Sequence, residues 1–261
     1  WHWDASAVSG GSHWKLNTAN TFNYSLGAAS PSAFYIGTLT LRQDQLNLDL
    51  GRDLDMPWDA PLSIAFGASA RHERFRIKQG DAASWAGAGA QVFPGFRPTD
   101  AGSHGRDNRA LYLDLETGFT PRFTAGLAVR SEHYSDFGTT TSWKLAGRWQ
   151  ATPILALRAT ASTGFRAPSL QQEYYSDTAI DIIHASSGHQ ELVAVRTFPV
   201  DDPAAVALGA QPLKPETSRN YSAGLVLTPE AGPYLTLDAY RIDIDDRIIL
   251  SGNLVGPEVE A

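Results

Sequence analysis

Arg166, Tyr174, Tyr175, His184, His189 and Arg196 share one polar stretch, and these are residue types that bind things. Aromatic rings and guanidinium groups anchor bound partners, and imidazoles hold metals. His184 and His189 stand five apart in a loop with no further ligand at a recognisable spacing, so the stretch reads as a ligand-contacting surface with no metal site. His104 and His133 are isolated. Asp243, Asp245 and Asp246 resemble a carboxylate cluster, but alternation puts the first two on one strand face and the glycine of a calcium loop is missing. Gly87 and Gly89 lack the third glycine and the strand-to-helix setting of a dinucleotide fingerprint. No serine sits in a Gly-x-Ser-x-Gly elbow, and the chain has no Cys, so neither a thiol nucleophile nor a thiolate zinc site exists. The expectation is a binding protein: no enzyme, and no cofactor.

The elements that must position these residues are strands. In Leu157–Leu170 (LRATASTGFRAPSL), Leu157, Ala159 and Ala161 alternate with Arg158, Thr160 and Ser162 until Pro168 turns the chain out of the sheet. A long excursion then runs to Pro215. Similar alternation marks residues 62–71, 111–116, 123–130, 143–149, 221–227 and 235–240. Upstream, Trp1–Val8 reads as a strand closed by a turn at Ser9–Ser12, and Trp14–Phe22 as the next. A third spans Ile36–Leu50. Its leucines change parity between Leu41 and Leu46, which predicts a β-bulge near Gln43–Gln45. Residues 78–108, rich in Gly, Ala, Pro, Ser and Asp, read as a loop of about thirty residues.

The outcome is about ten strands joined up and down, all-β and antiparallel. Connections at 9–12, 52–61, 119–122, 150–153 and 228–233 are short, whereas those at 24–35, 78–108, 134–140 and 165–217 are generally longer. A transmembrane barrel has this asymmetry, with short periplasmic turns and long external loops. Asp114, Glu116, Arg130, Lys144, Arg148, Arg158 and Asp238, like Arg71, fall opposite the apolar series and are expected to face a wet lumen. Phe119, Phe123 and Trp149, near short turns, suit an interfacial aromatic girdle. A soluble sheet with one core face and one solvent face fits the same alternation.

The 261 residues carry a net charge of −7, which gives no support to nucleic acid as a partner. No run of about eighteen apolar residues marks a spanning helix, and a mean hydropathy of −0.24 is compatible with strands that alternate across a bilayer.

Three segments carry a resemblance: GFRAPSLQQ (Gly164–Gln172), LKPETSRNYSAGL (Leu213–Leu225) and LDAYRIDIDDRI (Leu237–Ile248). In this order they resemble the β-barrel of TonB-dependent outer-membrane receptors, with Thr217-Ser218 and Asn220-Tyr221 filling the middle pattern and Tyr240 and Ile244 the last. The resemblance is sharp over about Leu111–Leu250 and general before that. It implies a 22-stranded barrel around an N-terminal plug, in the outer membrane of a Gram-negative bacterium. Such a receptor takes up a scarce small-molecule or metal-chelate ligand: a ferric siderophore, haem, cobalamin or an oligosaccharide. Energy comes from the TonB complex through a region ahead of the plug. About ten strands are too few to close that barrel. Residues 1–261 are therefore expected to be part of one barrel domain in contact with outer-membrane lipid, the plug and C-terminal strands lying outside the chain. A passive porin or adhesin-like barrel, and a soluble β-sandwich binding module, are the alternatives.

Overall fold

In the computed structural model, which describes residues 1–184, 190–252 and 254, polypeptide with period-two alternation forms long antiparallel strands. In chain order they are β1 (His2–Ala19), β2 (Ala33–Leu54) and β3 (Leu62–Gln79), then a short helix α1 (Ala82–Trp85). After it come β4 (Gly102–Thr120), β5 (Phe123–Tyr134), β6 (Gly138–Thr152) and β7 (Leu155–Arg166). The chain then leaves the sheet through α2 (Leu170–Tyr174), the hairpin of β8 (Asp177–His184) and β9 (Gln190–Thr197), and α3 (Pro203–Ala207). It returns with β10 (Glu216–Leu227) and β11 (Leu235–Asp245). The main sheet has 9 strands in the order β1-β2-β3-β4-β5-β6-β7-β10-β11, an up-and-down arc, with β8 and β9 paired separately.

Connections at 55–61, 121–122, 153–154 and 228–234 lie at one end of this arc; those at 20–32, 80–101, 135–137 and 167–215 lie at the other. Four expectations need correction. Residues 9–12 make no turn: β1 runs through Ser9–Ser12, paired with β2 from Asp44 to Leu41, so the first two expected strands are one. The ten strands become nine in the sheet plus the loop hairpin. The long 78–108 connection is shorter, because β3 extends to Gln79 and β4 starts at Gly102. Finally, β2 pairs without interruption through Gln43–Gln45 on both sides. The irregularity lies instead opposite Leu16/Asn17, at Ile36. Gly37 beside it has φ +140°, and a Cβ there would strike the Lys78 carbonyl oxygen at 2.5 Å.

The parity change in β2 has a different cause. Near the short turns, Leu46, Leu48, Phe66, Leu111 and Leu113 are exposed on one face, the outer one. Nearer the long loops the apolar residues lie on the opposite, inner face. There Phe75, Ile77, Phe96 and Leu170 form a buried cluster with Leu39, Tyr174 and Tyr175 against it, and Phe34, Ile36 and Ala90 form a second with Phe93. The two faces exchange roles along one uninterrupted strand. The buried core thus belongs to the loop end, where residues 80–101 and α2 fold against the inner face of β2 and β3.

Backbone bonds secure that packing: Phe96 N–H donates to the Ile36 carbonyl at 2.9 Å, and Gly80 N–H to that of Phe96 at 3.0 Å. The buried Asn23 amide donates to the Ala83 and Ala86 carbonyls at 2.9 and 2.8 Å, tying the β1–β2 connection to α1. At the opposite end Phe119 lies 5.5 Å from Trp58 and 6.1 Å from Phe123, ring centre to centre, an aromatic group beside the short turns.

Candidate functional site

The inner face at the loop end carries a recess of about 520 Å³ lined by Arg71, Glu73, Arg106, Arg130, Glu132 and Tyr134 from β3, β4 and β5, with Arg166 from β7 and Gln172 from α2. Alternation sets these positions. Residues 71 and 73 on β3 share the inner face with 106 and 108 on β4 and with 130, 132 and 134 on β5 through the registers Arg71↔Asn108 and Asn108↔Tyr134.

Arg106 is the pivot. Only 4% of its side chain is exposed, and it donates to Glu73 at 2.6 Å, to Asp136 at 3.4 Å and to the carbonyl of Pro168. One guanidinium thereby joins β3, the β5–β6 turn and the start of the excursion. Its buried charge is tolerated because all three of its guanidinium nitrogens donate to acceptors. Beside it, Arg130 donates to Glu132 at 2.7 Å, and Glu132 also accepts from the Tyr134 hydroxyl at 3.0 Å and Asn108 at 3.2 Å. Arg71 donates to the Tyr134 hydroxyl at 3.1 Å, while its buried Nε has no hydrogen-bond partner. The Arg106 guanidinium also lies 5.2 Å from the Tyr134 ring centre, a cation–π approach. Chemically this is a set of guanidinium edges, held by acids and a tyrosine, that can exchange acceptors with an anionic guest.

The expected site residues divide. Arg166 lines the recess and pairs with Glu216 at 2.8 Å. Tyr174 stacks on His104, ring centres 3.9 Å apart and 8° from parallel. Tyr175 is turned into packing, edge-on to Phe96 at 6.2 Å, and burial raises its hydroxyl pKa. Arg196 covers the Phe198 ring at 4.8 Å and lies 3.8 Å from the buried Asp100, linking β9 to the 80–101 connection. His184 ends β8 opposite Gln190, and His189 lies outside the described residues. Of Arg166, Tyr174, Tyr175 and Arg196, whose side chains are described, Arg166 lines the recess and the other three pack elsewhere.

Asp114, Glu116, Arg130, Lys144, Arg148, Arg158 and Asp238 share the inner face with Arg71 by register. Arg158 reaches over β10 to Asp238 at 2.6 Å. Tyr112 to Asp49, Arg130 to Ser69 and Arg71 to Tyr134 also bridge strands two apart, and all four contacts lie on this face. Sequence reasoning missed Arg106, Glu73, Glu132, Tyr134 and Asp136. Residues 102–108 have polar side chains on both faces, so alternation carries no hydrophobic signal there.

Comparison with known proteins follows the same lines. A family model described as "TonB dependent receptor-like, beta-barrel" matches residues 1–260. The chain is 27% identical over 143 residues to the vitamin B12 transporter BtuB of Photobacterium profundum, covering 55% of this chain and 18% of that protein. It is 26% identical over 139 residues to an iron-regulated outer membrane virulence protein of Vibrio cholerae serotype O1, covering 53% and 18%. The fold is similar to the crystal structure of the siderophore receptor PirA from Pseudomonas aeruginosa, with TM-score 0.62 and 19% identity, over 84% of this chain and 35% of that one. The chain thus spans about a third or less of the relatives it matches.

Proposed function

From the premise that the chain belongs to the TonB-dependent receptor β-barrel family, whose members are transport receptors of the Gram-negative outer membrane, we propose that it is an arc of the wall of an energy-coupled uptake receptor. Support for the arc comes from its two edges: β1 and β11 each have one partner strand among the described residues, and further strands and a plug would complete the barrel. In this reading the inner-face charges, Asp114 to Asp238, line the lumen beside the plug. The connections 20–32, 80–101 and 167–215 face outward and, with Arg166 and Tyr174, frame the ligand's entrance. Coupling to TonB belongs to the part of the receptor outside this arc.

The ligand class proposed is an anionic metal chelate such as a ferric siderophore. One observation carries this choice: the recess presents the guanidinium groups of Arg71, Arg130 and Arg166 around Tyr134, a donor set suited to carboxylate or phenolate oxygens. A corrinoid, as in the name of the Photobacterium relative, would not need so many cations. The test uses the full-length receptor with Arg71→Ala and Arg130→Ala together. Ferric-siderophore binding, read by tryptophan fluorescence quenching, is expected to weaken tenfold or more, about 1.4 kcal/mol or above. Equal binding of every ferric chelate tried to variant and wild type, or selective binding of cyanocobalamin, would overturn the assignment.

A further inference from the structure

Between the recess and the short turns, the inner face of β6, β7 and β10 sets small side chains around two cations. Taken from the loop end, its rungs are Lys144 with Ser162 and Asn220, then Ala146 with Thr160 and Ser222, then Arg148 with Arg158 and Gly224. Arg130 of the recess lies one strand over from Lys144 and two residues towards the loops, about 8 Å between Cα atoms. Lys144 and Arg148 are four residues apart, about 14 Å along β6.

The charges of this wall differ in whether they are met. Arg158 gives two nitrogens to Asp238 across Gly224, at 2.6 to 3.0 Å. Lys144 and Arg148, both exposed, have no acid partner among the described residues; Arg148 donates only to the Gln150 side chain. Asp114 stands on the rung of Lys144 across Ala128, the spacing at which Arg158 and Asp238 join, yet these two form no ion pair. Arg148 is also directly opposite Arg158 on the adjacent strand, where like charges repel. Asp238 offsets one of the two guanidinium groups, and the charge of Arg148 is left over. The hydroxyls of Thr160, Ser162 and Ser222 share the face, and their side chains have no hydrogen-bond partner among the described residues.

We infer that Lys144 and Arg148 form a second station for the anionic chelate, which meets it after it leaves the recess and before it reaches the short-turn end. The inference deepens the transport reading and rests on it. An ammonium, a guanidinium and nearby hydroxyls are donors for carboxylate or catecholate oxygens. The step from Arg130 to Lys144 is about one Debye length at physiological salt, so the guest feels the second cation while still held by the first. Both cations are exposed, and exposed charges bind weakly. Weak binding suits a station on a path, where a guest must enter and also leave. Asp114 and Glu116, on the far side of β5, repel an anion from that flank and direct it over β7 and β10.

The test takes the full-length receptor in a Gram-negative host without other ferric-chelate receptors, with radiolabelled ferric enterobactin and ferric citrate as anionic probes. Binding is measured on ice, where energy-coupled uptake stops, and uptake at growth temperature. Lys144→Gln with Arg148→Gln is expected to cut the maximal uptake rate at least fivefold, while binding on ice stays within twofold of wild type. Lys144→Arg with Arg148→Lys, which keeps both charges, should hold uptake within twofold of wild type. Uptake by the uncharged variant within twofold of wild type, an equal loss in the charge-keeping variant, or binding that falls in step with uptake would each overturn the station. So would a lowered melting temperature of the purified uncharged variant, which would make these cations partners of the plug. A wild type that binds neither probe would instead overturn the anionic-chelate reading, and the station with it.

Discussion

Glu173 in α2 is the residue whose chemistry is least settled by its neighbours. Its side chain is 7% exposed and its Oε2 has no hydrogen-bond partner. Burial, reinforced by the nearby carboxylates of Asp136 and Asp201 and opposed by Arg106, raises its pKa from 4.5 to about 7. Between those values the folded state holds a proton that the unfolded segment has released. Docking of α2 is therefore strongest at acid pH, weakens as pH rises through about 7, and is level beyond it. Amide hydrogen exchange of residues 169–176, corrected for intrinsic rates, should show protection falling from pH 5 to pH 8. In Glu173→Gln that slope should vanish; an unchanged slope would assign the effect to another group.

At the scale of the strand, the outer face records the tilt of the wall. On β2 its apolar run of Leu50, Leu48 and Leu46 lies between Arg52 at the short-turn rim and Asp44 at the loop-end rim, and on β11 the first charged position towards the long loops is Arg241. Tracing pairings from strand to strand, Arg241 lies eight residues nearer the short turns after seven steps. With about 3.4 Å per residue and about 4.8 Å between strands, the apolar band crosses them at about 40°. That is the tilt expected of a membrane barrel. A charge placed in the band should cost about 2 to 4 kcal/mol, one on the inner face much less. Leu127→Arg is thus expected to reduce the folded fraction on a heat-modifiability gel, and Ala128→Arg to leave it near wild type; equal behaviour would contradict the assignment of faces. This band is also why sequence alternation is legible at Leu111–Leu115, Phe123–Val129 and Tyr221–Leu227. Each has one face against lipid and the other polar. Outside the band both faces are wet or the inner one is packed, so Ser9–Ser12 imitates a turn, Gly102–Asn108 imitates a loop, and Leu39 imitates a register error. The recess suffers most, since Arg106 and Asp136 sit where no periodicity announces a strand. The excursion from Arg166 to Pro215 was legible as a unit, but not its hairpin or the inward turn of Tyr175.

For the whole molecule, the two edges of the arc set the behaviour. Among the described residues β1 pairs with β2 and β11 with β10, leaving one edge of each strand to pair elsewhere. Residues 1–261 produced alone in detergent are expected to self-associate, read as a polydisperse profile by size exclusion with light scattering, whereas the full-length receptor should be monodisperse. A monodisperse monomer of the 261-residue chain would mean that the arc closes on itself. The exchange of faces along β2 carries a constraint of another kind, on heredity. Leu46 and Leu48 look outward and Leu39 inward, so one codon gained or lost between Leu39 and Leu46 would reverse one half of the strand against the other. Lineages of this barrel should therefore change strand length there by two residues at a time. Odd changes should collect in the connections, or at a bulge such as that at Ile36, where an extra residue is already absorbed.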